Sequence, residues 1–147
     1  MDLARCARLC LRFLEPDAVI SGMALGWDQA LAEAALDLGI PLIAALPFDD
    51  HGANWSHAAQ ARHHVILGRA FWSTVVSPGA YATAKYHVRD RWIVDHGTHV
   101  LALWDGTASG TGSTVTYAKA RGVRVFNAWE IYQVCRGEYY EDVDIPF

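Results

Sequence analysis

The fold class is indicated first by residues 18–28, Ala18-Val19-Ile20-Ser21-Gly22-Met23-Ala24-Leu25-Gly26-Trp27-Asp28. Residues 18–22 form a short apolar run with β-branched side chains, which predicts a buried strand. From residue 26 to residue 38 the apolar side chains recur at helical spacing, and Gly39 follows as the stop. A buried strand that passes through a glycine turn into a helix is typical of α/β proteins with a parallel sheet.

The same alternation continues along the rest of the chain. Further strands are predicted at residues 40–46, 73–77, 99–104 and 123–127. Helices are predicted at residues 3–14, 26–38, about 56–68, 85–96, 114–121 and 129–135. This pattern predicts a three-layer α/β domain with a mostly parallel sheet of about five strands. Ligands of such sheets bind beyond the carboxyl ends of the strands.

Length and composition limit the class of protein. The 147 residues fit one domain, with residues 137–147 as an acidic tail rich in aromatic side chains. The chain is 52% hydrophobic and carries a net charge of −4, which argues against a nucleic-acid partner. No apolar stretch is long enough to cross a bilayer, the first residues lack a signal-peptide pattern, and three scattered cysteines suggest no disulfide framework. We therefore expect a cytoplasmic protein with no membrane partner.

The first candidate site is the glycine turn between the strand at 18–22 and the helix at 26–38. Gly22 permits a tight turn, and Gly26 allows a ligand to approach the backbone closely. Free amides at a helix start suit a phosphate, and Ser21 and Asp28 add polar groups for further ligand contacts. The alternative is a tight strand-to-helix turn without a ligand, with Asp28 as the helix cap.

The second candidate site is the loop of small residues that follows the strand at 99–104. Gly110, Gly112, Ser113 and Thr114 offer amides and hydroxyls that can surround an anion. No lysine follows the last glycine, so the loop is not a Walker loop. The alternative is a flexible linker.

Several short motifs together resemble the YpsA-like proteins of the SLOG superfamily, which also contains the LOG phosphoribohydrolases and the DprA-like proteins. The residues that carry the resemblance run in order over about residues 18–127: the SG-x-A-x-G-x-D pattern of residues 21–28, Leu46-Pro47-Phe48, Trp55, Tyr86 with Arg89, Trp92-Ile93-Val94-Asp95, the loop at 110–114, and Tyr117-Ala118. The resemblance implies a Rossmann-like domain that binds a nucleotide or a nucleotide-derived ligand.

The chain departs from that resemblance in two places. LOG-type hydrolases carry a catalytic Glu shortly after their glycine-rich motif, whereas residues 110–117 of this chain contain no carboxylate. In a hydrolase of this kind, Asp28 or Asp90 would have to act as the catalytic carboxylate. YpsA-like proteins begin with a strand near the middle of the sheet, whereas this sequence begins in the helix after it. We expect the absence of that strand to leave two unpaired sheet edges. The alternatives are a true start further upstream, a strand supplied by a partner chain, or a rearranged sheet.

One face of the helix at 85–96 carries a candidate for phosphate binding. Tyr86, Arg89, Asp90 and Ile93 share this face by three- and four-residue spacing. The planar fork of Arg89 suits two phosphate oxygens. The alternative is an ordinary surface helix, with Arg91 and Asp95 forming an ion pair four residues apart.

The remaining candidates are aromatic and metal-binding residues. Trp27 and Trp55 lie beside the predicted ligand edge and suit stacking on a base, with lid packing or a subunit interface as the alternative. The seven histidines form no compact ligand set, so no metal site is predicted. Cys6 and Cys10 share a helix face and are expected to pack as small apolar groups.

Three functions are consistent with the sequence. The first is a sensor, sponge or signalling module for a nucleotide-derived small molecule, with no other cofactor indicated. The second is an N-glycosidic hydrolase of a nucleoside monophosphate-type ligand. The third is DprA-like handling of single-stranded DNA, which the negative charge and the low lysine content disfavour. An acidic protein of this size with an exposed sheet edge is expected to form a homo-oligomer, most simply a twofold dimer.

Overall fold

The computed structural model describes residues 2–137, and within them six helices alternate with five strands. The helices are α1 (Asp2–Leu14), α2 (Trp27–Asp37), α3 (His57–Arg69), α4 (Ala84–His96), α5 (Gly110–Ala120) and α6 (Trp129–Cys135). The strands are β1 (Val19–Ser21), β2 (Leu42–Leu46), β3 (Trp72–Val75), β4 (His99–Ala102) and β5 (Arg124–Asn127). Every predicted element is present, which confirms the α/β class.

The strands form two parallel sheets rather than one continuous sheet. The first has the order β1-β2-β3, with Ser21 opposite Ala44 and Ala45 opposite Thr74. The second consists of β4 and β5, with Leu101 opposite Phe126. Within the described residues no strand lies between β1 and β4. Among these residues β1 and β4 are therefore each unpaired along one edge, as expected.

The buried side chains form two clusters, one for each sheet. The first contains Leu11 of α1, Leu31 of α2 and Leu42 of β2, and the second contains Cys6, Cys10, Ala128 and Ile131. Both Cys6 and Cys10 are fully buried free thiols, which confirms the prediction that they pack as small apolar groups. Two partly buried side chains, Trp27 and Leu101, contact both clusters and so join the two halves of the core.

The acidic aromatic tail lies almost wholly outside the described residues, which end at Gly137. No helix in the described part of the chain is both long and apolar enough to cross a membrane.

Candidate ligand site at the carboxyl ends of β1 and β4

The loop after β1 is held together by its own polar side chains. Ser21 Oγ donates to the Asp28 carbonyl at 2.8 Å and accepts from the Met23 amide at 3.2 Å. One carboxylate oxygen of Asp28 accepts from the Ala24 amide at 3.2 Å. These bonds hold Met23 at a φ of +60°, a conformation that favours glycine. The N-cap of α2 is Gly26 rather than Asp28, because the Asp28 side chain reaches back into the loop.

Arg89 of α4 lies against this loop and is almost fully buried, with 4% of its surface exposed. Its Nη1 donates to the carbonyls of Gly22 and Ala45, and its Nε donates to Asp90 at 2.7 Å. A Cβ atom at Gly22 would lie 2.8 Å from the Arg89 guanidinium and 2.9 Å from the Asp28 carboxylate. Glycine at position 22 is therefore what allows Arg89 and Asp28 to approach the end of β1.

The surface-helix alternative for α4 does not hold for Arg89, which is buried. The ion pair expected between Arg91 and Asp95 is also replaced by other contacts of both residues. The Asp95 carboxylate lies 3.4 Å from Nη2 of Arg121 and accepts from the Tyr117 hydroxyl at 2.9 Å, so its partners come from α5 and its C-cap residue. The Arg91 guanidinium lies over the Tyr117 ring, 5.1 Å from its centre.

The second loop is more helical than the sequence suggests. The helix α5 begins at Gly110 rather than at Thr114, because Ser109 Oγ accepts from the Gly112 amide at 3.0 Å and caps it. Thr114 Oγ1 lies 3.4 Å from the second carboxylate oxygen of Asp90. Asp90 thus connects α5 to Arg89 and, through it, to the loop after β1.

Both loops open into one cavity of about 860 Å³ between β1 and β4. Its carboxyl end brings together seven of the predicted residues, and two of them, Asp28 and Asp90, are the candidate carboxylates. The seven are Ser21, Gly22, Asp28, Arg89, Asp90, Gly110 and Thr114. Tyr86 and Ile93 line the same cavity, as their shared helix face predicted. Thr111 also lines it and was missed, because it was assigned to a loop rather than to the first turn of a helix.

The structure does not bring every candidate into this cavity. Gly26 forms the N-cap of α2 and is not part of the lining. Gly112 and Ser113 face a separate shallow groove beside Trp104. A Cβ atom at Gly112 would lie 3.1 Å from the Trp104 ring nitrogen, so this glycine makes room for the tryptophan.

The two candidate stacking residues have different surroundings. Trp27 lines the cavity, and its indole N–H donates to the Leu101 carbonyl at 3.3 Å, so the ring spans the space between the two sheets. Trp55 lies outside the cavity lining, in an aromatic group with His51 and His63 at centroid distances of 4.9 and 5.2 Å. Of the two, only Trp27 is placed beside the loop after β1.

The charges at the site largely offset one another. Arg89 faces the carboxylates of Asp90 and Asp28. Burial raises the pKa of Asp28 above its usual value, and the nearby Arg89 charge opposes this shift. The first turn of α5 carries no acidic residue. Among the described residues, no group of three or more His, Cys, Asp or Glu could hold a metal ion.

Comparisons with known proteins agree with the motif pattern. The chain matches the YspA SLOG family over residues 13–135. It is 29% identical over 116 residues to the Bacillus subtilis (strain 168) protein described as "Uncharacterized SPbeta prophage-derived protein YoqJ", covering 68% of each chain. It is also 29% identical over 109 residues to a "UPF0398 protein" of Lactobacillus delbrueckii subsp. bulgaricus (strain ATCC BAA-365 / Lb-18), covering 70% of this chain but only 58% of that protein. With 123 of its 147 residues inside the matched range, the chain belongs to the YspA SLOG family.

Proposed function

We propose that the chain binds a nucleotide or a nucleotide-derived small molecule at the carboxyl end of the cavity, as a sensor, sponge or signalling module. One observation carries this proposal. Two loops that lie far apart in the sequence, at Gly22 and around Gly110, open into the same cavity at strand ends. Its volume of about 860 Å³ suits a ligand of nucleotide size.

The polar groups suggest how such a ligand is held. In the proposed complex the amides of Gly110 and Thr111, in the first turn of α5, donate to a phosphate, with the helix dipole behind them. Arg89 uses Nε and Nη1 for contacts within the protein, so its Nη2 is the atom we assign to a ligand oxygen. Because Asp90 forms an ion pair with Arg89, the site favours one phosphate and several hydroxyls over a polyphosphate.

Thermal unfolding with a panel of ligands tests the proposal. The panel contains AMP, ADP-ribose, NAD and cyclic dinucleotides, and the products of any hit are analysed. A ligand at a hundred times its dissociation constant should stabilise the fold by about 2.7 kcal/mol. Stabilisation with the ligand recovered intact supports a sensor or sponge. The absence of a shift with every ligand of the panel would contradict the proposal.

N-glycosidic hydrolysis is the second candidate, favoured by one observation. Asp28 is a buried carboxyl at the cavity whose raised pKa is a property of general acids. Release of free base from AMP that is lost in Asp28→Asn, with binding retained, would support hydrolysis.

Handling of single-stranded DNA is the third candidate, and binding of an oligonucleotide that weakens with salt would support it.

A further inference from the structure

All three cysteines of the chain meet where α1 packs against α6. Cys6 and Cys10 of α1 are fully buried in the cluster that also contains Ile131 of α6. Cys135, the last residue of α6, packs against that cluster. All three are free thiols. We name Cys6, Cys10 and Cys135 the thiol cluster.

Cys6 lies at the centre of the thiol cluster. Its Sγ donates to the carbonyl of Ala128, the N-cap residue of α6, at 3.8 Å. Its thiol also contacts the thiols of both Cys10 and Cys135. Because Ala128 and Cys135 lie at opposite ends of α6, the Cys6 side chain faces the middle of that helix. The packing of α1 on α6 therefore already places the sulfur atoms of Cys6 and Cys135 side by side.

The geometry of a helix decides which two of the three thiols can form a bond. Residues four apart on one helix have Cβ atoms about 5–6 Å apart, whereas a disulfide needs a Cβ–Cβ distance of about 3.5–4.5 Å. A bond between Cys6 and Cys10 would therefore distort α1. Cys135 projects from a second helix, so rotation about its own side-chain bonds can bring its sulfur onto that of Cys6.

Cys135 is the thiol that an oxidant reaches first. It is partly exposed, whereas Cys6 and Cys10 have no exposed surface. Burial raises the pKa of the Cys135 thiol, and Cys10 and Asp2 add to this shift, while the Arg5 charge and the Cys6 contact oppose it. Since the thiolate is the reactive form, oxidation should be faster at about pH 8.5 than at pH 7.

We propose that a hydroperoxide converts the thiol cluster to a reversible disulfide between Cys6 and Cys135, which locks α6 onto α1. The Cys135 thiolate attacks hydrogen peroxide: an S–O bond forms, the O–O bond breaks, and the leaving hydroxide takes the proton lost from Cys135. The Cys6 sulfur then attacks the resulting sulfenic acid. An S–S bond forms, the S–O bond breaks, and the second hydroxide leaves with the Cys6 proton as water.

The electrons of this reaction balance without a further reactant. The two thiols lose two electrons and two protons, and one peroxide molecule accepts both and leaves as two water molecules. A dithiol reductant reverses the bond by thiol–disulfide exchange. This inference does not depend on the proposed nucleotide.

Peptide mapping of the 147-residue chain tests the proposal. The chain is treated with hydrogen peroxide at about pH 8.5, its remaining thiols are blocked with N-ethylmaleimide, and it is cut with trypsin without a reductant. Because arginines separate the three cysteines, each falls in its own tryptic peptide, namely residues 6–8, 9–12 and 125–136. Mass spectrometry of the linked peptides therefore identifies the pairing directly.

The variants Cys10→Ser and Cys6→Ser provide a matched pair. Both remove one buried thiol of α1 and keep its size, and circular dichroism shows whether each variant folds. Cys10→Ser should form the disulfide in undiminished yield, whereas Cys6→Ser should form at least about tenfold less. An equal yield in the two folded variants would overturn the proposal. The map of the wild-type chain decides the pairing even where a variant does not fold.

The expected result in the wild-type chain is one linked pair, residues 6–8 with residues 125–136, in a monomer. Dithiothreitol should remove the link, and the oxidised chain should have a Tm higher by about 5 °C or more, because the link closes a loop that contains nearly all of the described chain. A main product that links residues 9–12 to residues 125–136 would overturn the proposal. So would links found only between two chains, or a sulfinic acid at Cys135 with no link.

Discussion

Gly22 and Gly26 lie four residues apart in the same loop, yet a methyl group would meet different surroundings at each. At Gly22 it would collide with Arg89 and Asp28, whereas at Gly26 it would meet open space but a φ of +87°. A Gly22→Ala substitution must therefore move site residues. A Gly26→Ala substitution only strains the backbone, at a cost of about 1–3 kcal/mol.

We expect Gly22→Ala to weaken ligand binding by at least about tenfold, because it displaces Arg89 from the loop. Gly26→Ala should lower the free energy of unfolding but leave the affinity within about twofold, since Gly26 is not part of the cavity lining. Isothermal titration with the panel ligand that gives the largest thermal shift measures both. Loss of affinity in Gly26→Ala alone would show that the ligand approaches the loop at the other glycine.

Arg89 is expected to stabilise the fold as well as the site. Arg89→Met leaves the Asp90 carboxylate and the Gly22 and Ala45 carbonyls without their donor, which should cost about 3 kcal/mol of unfolding free energy. Arg89→Lys keeps the charge without the planar fork and should lose less, about 1–2 kcal/mol. Urea unfolding at pH 7 measures these changes.

The exposed pair of Arg62 and Glu33 provides a matched control for Arg89. Their side chains are 43% and 38% exposed, so Arg62→Met should cost only about 0–1 kcal/mol. Equal losses in the two Met variants would contradict the structural role given to Arg89.

Candidate site residues could be selected from the sequence where the residue type itself fixes the backbone freedom or the charge. The motif pattern selected Ser21, Gly22 and Asp28, and helical spacing selected Arg89. Burial was not predictable, because whether Arg89 faces solvent depends on the packing of α4 against the end of β1. For the same reason the sequence did not show that Gly112 makes room for Trp104.

Helix α3 and the loop before it place two histidines in an aromatic group that disfavours their charged forms. Burial, the Arg89 charge and His63 lower the pKa of His51 to about 4, and burial lowers the pKa of His63. Within the described residues, the Nδ1 atoms of both rings are buried without a hydrogen-bond partner. Protonation of His51 or His63 therefore favours the unfolded chain.

The free energy of unfolding should fall as the pH is lowered from about 6.5 to about 4. In this window the unfolded chain binds more protons than the folded one, because the folded pKa of His51 is depressed to about 4. For His51 the loss is about 2 kcal/mol after allowance for the partial exposure of its ring. Urea unfolding at steps of pH measures it, with His51→Phe as the comparison. A His51→Phe slope as steep as that of the wild type would contradict the assignment.

Elements were more predictable than their ends. The N-cap of α3 is Ser56, where the sequence predicts the start of this helix, and α6 has the predicted bounds. The start of α5 was predicted four residues late, because a run of glycine, serine and threonine is typical of loops. The capping hydrogen bond of Ser109 forms only when the residues after it are helical. The described strands divide into two sheets, because none of them lies between β1 and β4.

The whole molecule leaves apolar side chains exposed beyond the site, with Phe71 at 80% and Trp72 at 51%. We propose that the chain forms a homodimer, as the free sheet edges and these side chains favour association. Multi-angle light scattering at several concentrations should give a mass about twice 16.2 kDa. A mass of one chain at every concentration would contradict the dimer.

Amide NMR during a titration with the panel ligand that gives the largest thermal shift determines whether the two loops act as one site. The resonances of Gly22, Asp28, Gly110 and Thr111 should shift together along one saturation curve, because all four residues line the carboxyl end of the cavity. The amides of Gly112 and Ser113, which line the separate groove, should shift less. Shifts confined to one loop or to that groove, or no shift at millimolar concentrations of that ligand, would contradict the proposed nucleotide site.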